Sequence, residues 1–349
     1  MTELFLTKTE NDKAINIIKA FDDDFIKKIN TIIIHDGIFH LDDVTFVSLL
    51  LEYRCELGVS SSPVIIRSPR NELPGLMENI NNDPSKVAIF ADIGGGTFDH
   101  HDMLVCRKPI DQLTKDIDSL SETSIRRMTE PYSASSKLWL AIGPKLIGNK
   151  FAKEIDDKFF RPLDQNDNFG SIKVEAFDRN KMENPLSLAI KWMNKDPKDS
   201  LLQMDAFMEA VKFVRNILRG MIDSYKNLRK TYEENNIEEL ENSVDNGIIT
   251  LDKYIPATLF DSEKVQFVIE PTTNPGWWQI ASTDSEMYPI IKYESIKVFD
   301  EKLYNQLIEY DKKVNDGTIK NQKIFFHKSG FLATFPNKEF AEAVAKLSV

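Results

Sequence analysis

The stretch Thr31-Ile32-Ile33-Ile34-His35-Asp36-Gly37-Ile38-Phe39-His40-Leu41-Asp42-Asp43 decides how the rest of the chain is read. Its β-branched start reads as a short buried strand that ends in a loop at His35-Asp36-Gly37. Beyond the loop, Val44, Val47, Leu50 and Leu51 recur at helical spacing, which predicts a helix over 42–51. Working outward, Val64-Ile65-Ile66 and Val87-Ala88-Ile89-Phe90 are further short apolar strands, the second closing on Asp92 and Gly94-Gly95-Gly96. Strands alternating with helices predict an α/β fold with a parallel sheet and a site at the strand C-termini, where His35 and Asp92 would lie.

The chain is longer than one core usually supports, so more than one domain is expected in its 349 residues. Arg107 to Pro131 is polar and weakly periodic and reads as a surface excursion. Helical spacing returns over 135–147, and the polar run Leu163-Asp164-Gln165-Asn166-Asp167-Asn168 interrupts it. From Met204 through Phe207, Val211, Val214, Leu218 and Ile222 to Tyr232, apolar positions step by three or four, marking a long amphipathic helix. Ile248 to Leu251, Val265 to Ile269, Trp277 to Ala281 and Ile324 to Phe326 then read as strands, and 338–347 as a closing helix. The resulting division is a parallel-sheet domain over 28–185, a helical connector over 186–245 and a smaller C-terminal α+β domain over 246–349 that binds substrate. There is no internal repeat.

Composition narrows the partners. A formal net charge of −11 argues against stable coating of duplex DNA, because non-specific nucleic-acid binding rests on a Lys/Arg surface that releases counterions. A short or single-stranded anionic substrate held at a metal centre is compatible with it, since bound cations can be the largest local charges. No apolar run is long enough for a bilayer, the start Met1-Thr2-Glu3-Leu4 lacks a secretory pattern, and Cys55 and Cys106 are too few for a disulfide framework. A cytoplasmic setting without membrane insertion is expected.

The five histidines are not scattered: His35 and His40 flank a Gly-Ile-Phe turn, His100 and His101 follow Asp99, and only His327 stands apart. A lone histidine is usually a hydrogen-bonded core residue. Here, three N/O-rich groups fall where an α/β sheet presents its site. Imidazole with carboxylate and no thiolate suits a divalent ion of the Mn, Mg, Fe or Zn group. Candidate ligands are His35, His40, Asp42, Asp92, His100 and a later aspartate, either Asp164 or Asp167, which is enough for two bridged ions. Two ions that activate water on one side and steady charge on the other are a device for displacing oxygen at phosphorus, so phosphoester hydrolysis is the expected reaction.

Asp99-His100-His101 resembles the motif that names the DHH phosphoesterase superfamily, and His35-x4-His40-x-Asp42-Asp43 with Ala91-Asp92-Ile93-Gly94-Gly95 is similar to the first two motifs of its melanocyte-proliferating-gene exonuclease family. Leu251-Asp252-Lys253-Tyr254-Ile255-Pro256, Phe267-Val268-Ile269 with Trp277-Trp278-Gln279, and Ile324 to Phe331 extend the resemblance to the C-terminal half. It implies a two-domain, DHH-type phosphoesterase that removes nucleotides from RNA in the 3′-to-5′ direction with two Mn²⁺, or Mg²⁺, ions; the alternative it leaves open is a small-molecule phosphodiesterase or pyrophosphatase, as elsewhere in the superfamily. Carried onto this chain, His35, His40, Asp42, Asp92 and His100 would hold metal, Asp92 as the bridge. His101 would face the scissile phosphate and, with Asp99 and Asp92, form the catalytic group. The fourth motif departs from the family's Ile-Asp-Asn-Gly-like segment, reading Asn166-Asp167-Asn168-Phe169-Gly170 with Asp164 upstream. Asp36 and Asp43 stand where Asn and Glu are commoner.

His327, Lys328, Ser329 and Gly330 read as a phosphate or ribose contact: an imidazole, an ammonium and a hydroxyl, then a glycine that admits close approach. Other features read blandly. Gly94-Gly95-Gly96 lacks the Lys-Ser/Thr of a P-loop and reads as a tight turn. Trp277 and Trp278 read as one inward and one outward ring, and Arg67 and Arg70 as solvated cations or phosphate contacts.

Overall fold

Three isoleucines after Thr31 leave a strand no polar face, which suits the middle of a parallel sheet covered on both sides. The computed structural model describes residues 8–19, 21–94, 97–99, 105–108, 128–169, 184–244 and 246–349. In it, that run is β1 (Thr31–His35), buried from Thr31 to Ile34. β2 (Val64–Ser68) and β3 (Ala88–Phe90) flank β1 and run parallel to it, with Ile33 opposite Ile66 on one side and Phe90 on the other. Helices α1 (Lys8–Lys19) and α2 (Asp23–Lys28) precede β1, and α3 (Leu41–Glu56) and α4 (Leu73–Asn81) are the crossovers after β1 and β2. Strands that all run one way put their C-terminal ends on one edge. That edge carries His35, Ser68 and, just past β3, Asp92.

The chain divides into two compact units, Met1–Lys226 and Asn227–Val349. After β3 the first unit holds α5 (Ala134–Ile147), α6 (Asn149–Ile155), a π-helical turn Asp156–Phe160, α7 (Arg161–Phe169), α8 (Pro185–Met193) and most of α9 (Ser200–Glu234). α3 is buried on nearly every side because it packs on α5 and is tied to α9. The Ser48 hydroxyl donates to the Val211 carbonyl at 2.9 Å, and Glu52 accepts from Arg215 at 2.7 Å and Arg219 at 2.9 Å.

The second unit adds α10 (Ile237–Asn242), β4 (Ile248–Thr250), β5 (Phe267–Pro271), β6 (Trp278–Ser282), α11 (Tyr293–Phe299), α12 (Glu301–Asn315), β7 (Phe325–Phe326), β8 (Leu332–Phe335) and α13 (Lys338–Lys346). Its sheet order is β4-β5-β6-β8-β7, parallel only between β4 and β5. Phe267, Ile269, Ile280 and Phe335 from the sheet meet Leu303, Leu307 and Val344 from the helices in one core. A parallel-sheet α/β unit is thus followed by a smaller α+β unit, the expected fold class.

Several local readings change. The polar run 163–168 is not a break but lies inside α7, because one buried turn, Leu163 and a paired Asp164, suffices to dock it. β8 and the helices α11 and α12 carry too short or too polar a pattern to stand out. Trp277 is buried and donates from Nε1 to Asn321 Oδ1 at 2.9 Å, while Trp278 is half-buried under the Lys338 ammonium. Most of 107–131 lies outside the described residues. No helix among the described residues is long and apolar enough to cross a membrane.

Candidate metal centre

His35 ends β1 with its side chain aimed at two carboxylates. Nε2 is 3.0 Å from Asp43 Oδ2 and 3.4 Å from Asp92 Oδ2, and Nδ1 is 2.7 Å from the Asp36 carbonyl oxygen. A carbonyl only accepts, so Nδ1 carries a proton and Nε2 is the atom turned to the site. Burial lowers the basicity of this imidazole, but Asp43 and then Asp92 outweigh it and raise the pKa to about 9. His40 caps the start of α3, its backbone N–H donating to Asp43 Oδ2 at 2.9 Å, and its ring centroid lies 5.8 Å from that of His35. One ligand atom each from His35, His40 and Asp43 lies within 4.8 Å of the others. Asp43 is 1% exposed; burial opposes its charge, yet His35 and the His40 N–H hold it below the usual carboxylate range. Its Oδ1 is buried with no hydrogen-bond partner. An anionic acceptor left open beside two imidazoles is a donor set that fits a divalent cation.

Asp42 and Asp164 are held by the start of α5. Its first N–H groups have no intrahelical partner, and its N-cap Ser133 does not supply a side-chain cap. Instead Asp42 accepts from Ala134 N at 3.2 Å and Ser135 N at 2.9 Å, and Asp164 from Ser133 N at 3.0 Å and the Ser136 hydroxyl at 2.6 Å. Asp164 also accepts from Arg107 Nη1 at 2.6 Å, while Arg107 Nη2 reaches Asp156 at 2.6 Å. Burial pushes Asp164 upward against the pull of Arg107 and the serines. Asp167, one helical turn on, lines a cavity of about 360 Å³ together with His40, Asp42, Asn166 and Lys191. The structure therefore brings His40, Asp42 and Asp167 to one cavity, and gives Asp164 to Arg107 and the α5 cap.

The loop between the two histidines is clamped from outside. Arg67 on β2 donates from Nη2 to the Gly37 carbonyl at 2.7 Å, its guanidinium 5.5 Å and 5.3 Å from the ring centroids of Phe39 and Phe207. Gln203 Nε2 donates to the same carbonyl at 2.9 Å and to Asn194 Oδ1 at 2.6 Å. Asn194 in turn accepts from Phe39 N at 2.9 Å and donates to Phe39 O at 3.0 Å. Arg67 is thus half-buried and engaged with the loop. Asp92 adopts φ +55°, a left-handed conformation that aspartate tolerates, and Gly94 follows at φ +89°. Asp99 is buried, and the buried Lys137 of α5 donates to its carbonyl at 2.6 Å. His100 and His101 lie outside the described residues.

In the second unit, His327, Lys328, Ser329 and Gly330 line a cavity of about 550 Å³ with Lys292 and Tyr293. Ser329 N donates to His327 Nδ1 at 3.2 Å, and the Ser329 hydroxyl lies 2.9 Å from the same atom. The His327 proton is therefore on Nε2, turned away from Ser329. Gly330 has φ +74°, and a Cβ there would lie 2.9 Å from Pro289 Cβ and 3.0 Å from Ile290 N. The close approach this glycine allows is to its own chain, where Ile290 N donates to Gly330 O at 2.8 Å.

Asp43, Arg67, Asn194, Gln203 and Lys137 join the site only in the folded chain. Asp43 is visible in the sequence as an unusual acid beside Asp42; the other four carry no local signal, because their partners are more than 25 residues away in the chain.

Residues 140–349, well over half of the chain, match the MYG1 exonuclease family, described as an uncharacterised protein family (UPF0160). That match begins after His101, so the first three motifs lie outside it. Two structures of RecJ from Thermus thermophilus are similar. The Mn²⁺ complex is 13% identical, over 99% of this chain and 56% of that one, with a TM-score of 0.26. The Mg²⁺ complex is 14% identical, over 99% and 53%, with a TM-score of 0.25. The chain spans about half the length of these structures. Comparison with curated proteins finds no match.

Proposed function

The chain belongs to the MYG1 exonuclease family, and on that basis we propose that it is a metal-dependent phosphodiester hydrolase, a 3′-to-5′ exonuclease acting on single-stranded RNA or short oligonucleotides. The observation that carries the reading is the convergence of His35, His40 and Asp43 beside Asp92 at the C-terminal edge of a parallel sheet. Divalent ions held there, Mn²⁺ or Mg²⁺, would supply an activated water and neutralise phosphate charge. His35, His40, Asp43 and Asp92 would hold them, joined by Asp42, His100 and Asp167 from the neighbouring motifs. Asp164, bound by a guanidinium and two serines, serves the fold of the site.

The other residues orient. The Asp36 carbonyl fixes the His35 tautomer, and Arg67, Asn194 and Gln203 hold the loop so that both imidazoles face one point. His101, next to the ligand motif, would donate to the phosphate in the transition state, with Asp99 anchored by Lys137 behind it. The first unit would carry the chemistry, and the cavity at His327 in the second would take the substrate's ribose and phosphate.

The test offers the protein, with Mn²⁺, a 3′-labelled and a 5′-labelled oligoribonucleotide, the matching DNA, and pyrophosphate. Stepwise release of mononucleotides from the RNA 3′ end is the expected result. Phosphate release from pyrophosphate alone would make it a small-molecule phosphoesterase. No hydrolysis of any of them with Mn²⁺ or Mg²⁺ would overturn the reading.

A further inference from the structure

A separate cavity of about 760 Å³ in the first unit runs along α5, α6 and the π-helical turn. On a chain of net charge −11, its walls collect Lys19, Arg107, Lys108, Lys145, Lys153 and Arg161 against only Asp156 and Asp157. Four of these cations are answered: Arg107 by Asp156 and Asp164, Lys108 and Arg161 by Glu130, and Lys145 by Asp23. Arg107 is further pinned 4.0 Å from the Tyr132 ring centroid. Among the described residues, Lys19 and Lys153 meet no carboxylate, and both are exposed at the cavity. The same lining includes the apolar Leu140, Ala141, Pro144 and the buried Trp139, and the Asn149 amide.

A cavity of this size, lined both by two ammonium groups that meet no carboxylate and by aliphatic side chains, suits a ligand that carries a dianionic group and a flat apolar one. A phosphate monoester carries about −1.5 to −2 charge near neutral pH, which two lysines match. We propose that this cavity is a binding site for a nucleoside monophosphate, with Lys19 and Lys153 taking the phosphate and the Leu140–Pro144 wall the base. The site shares no lining residue with the cavity beside His40 and does not depend on the phosphoesterase reading.

The experiment titrates adenosine monophosphate into the full chain by calorimetry in EDTA, so that no divalent ion contributes. Adenosine and inorganic phosphate are titrated separately. One-to-one binding is expected, weakened at least tenfold in Lys19→Gln/Lys153→Gln and further in Lys19→Glu/Lys153→Glu. Both lysines are exposed, so circular dichroism should match the wild type. Adenosine and phosphate should each bind more weakly than the nucleotide. The proposal is overturned by no binding to the wild type, by unchanged affinity in the two lysine variants, or by adenosine binding as tightly as its monophosphate. None of these outcomes bears on Mn²⁺-dependent hydrolysis, which the oligonucleotide assay decides by itself.

Discussion

Metal uptake should be coupled to release of the His35 proton. In the metal-free protein the imidazole is raised to about 9, since Asp43 at 3.0 Å and Asp92 at 3.4 Å outweigh the cost of burying its charge. A divalent ion needs the lone pair of Nε2, because Nδ1–H is committed to the Asp36 carbonyl. The ion therefore competes with a proton at every pH below about 9. At pH 7, about two pH units lower, this weakens apparent affinity by roughly 100-fold, or about 2.7 kcal/mol at ~1.36 kcal/mol per unit. Calorimetric titration of Mn²⁺ between about pH 6.5 and 8.5, in buffers of differing ionisation enthalpy, reads affinity and proton release together. Affinity should rise about tenfold per pH unit with at least one proton released per chain, and Asp43→Asn should abolish most of that release. The stability linkage has the matching sign. A histidine whose folded pKa is raised contributes stability that is complete below about 6.5 and lost as pH rises through about 9, so melting in EDTA should fall across that interval. Mn²⁺ binding of constant affinity with no proton release would show that His35 is not a ligand that must first lose a proton.

Arg107→Met should destabilise the first unit by about 3–5 kcal/mol in urea unfolding, because it leaves the buried Asp164 carboxylate uncompensated. Asp164 is already pushed upward by burial, so the loss should be larger at pH 8 than as pH falls toward the raised carboxylate range, where protonation relieves the buried charge; a cost below about 1 kcal/mol throughout would mean the pair is not what holds this corner. Asn194→Ala frees both backbone groups of Phe39 and should weaken Mn²⁺ binding about tenfold or more with the far-UV spectrum retained, as loss of a residue supporting ligands does. Wild-type affinity would show that the loop holds itself. His327→Ala should keep Mn²⁺ binding and lose most activity on oligonucleotides, with a smaller loss on a nitrophenyl phosphodiester; wild-type rates on both would make His327 structural. Gly330→Ala forces a left-handed alanine against Pro289 and should lower stability by more than about 1 kcal/mol, read as an earlier urea transition in the second unit.

Short apolar, largely β-branched runs bounded by turn residues locate β1 and the flanking β2 and β3, because segments of that length and composition have few other stable outcomes. The parallel order then brings His35 and Asp92 to one edge without further information. His40 is legible for the same reason: it sits in the loop between that strand and the helix it feeds. Division of labour among the carboxylates is not legible. Asp42 and Asp43 are neighbours in sequence, yet one caps α5 and the other meets His35, since successive residues on a helix point about 100° apart. Asp164 and Asp167 are likewise indistinguishable until Arg107, Ser133 and Ser136 are folded against one and not the other. Asn194 and Gln203 lie more than 150 residues from the loop they clamp, and no spacing announces such a contact. Local pattern dictates which backbone conformation a segment takes and which face it buries, and so the strands, their shared edge and the residue types gathered there can be read from the order of amino acids. Which carboxylate is neutralised by a guanidinium, which caps a helix and which is left as an open acceptor depends on electrostatic partners from distant segments, and these meet only when the chain is folded.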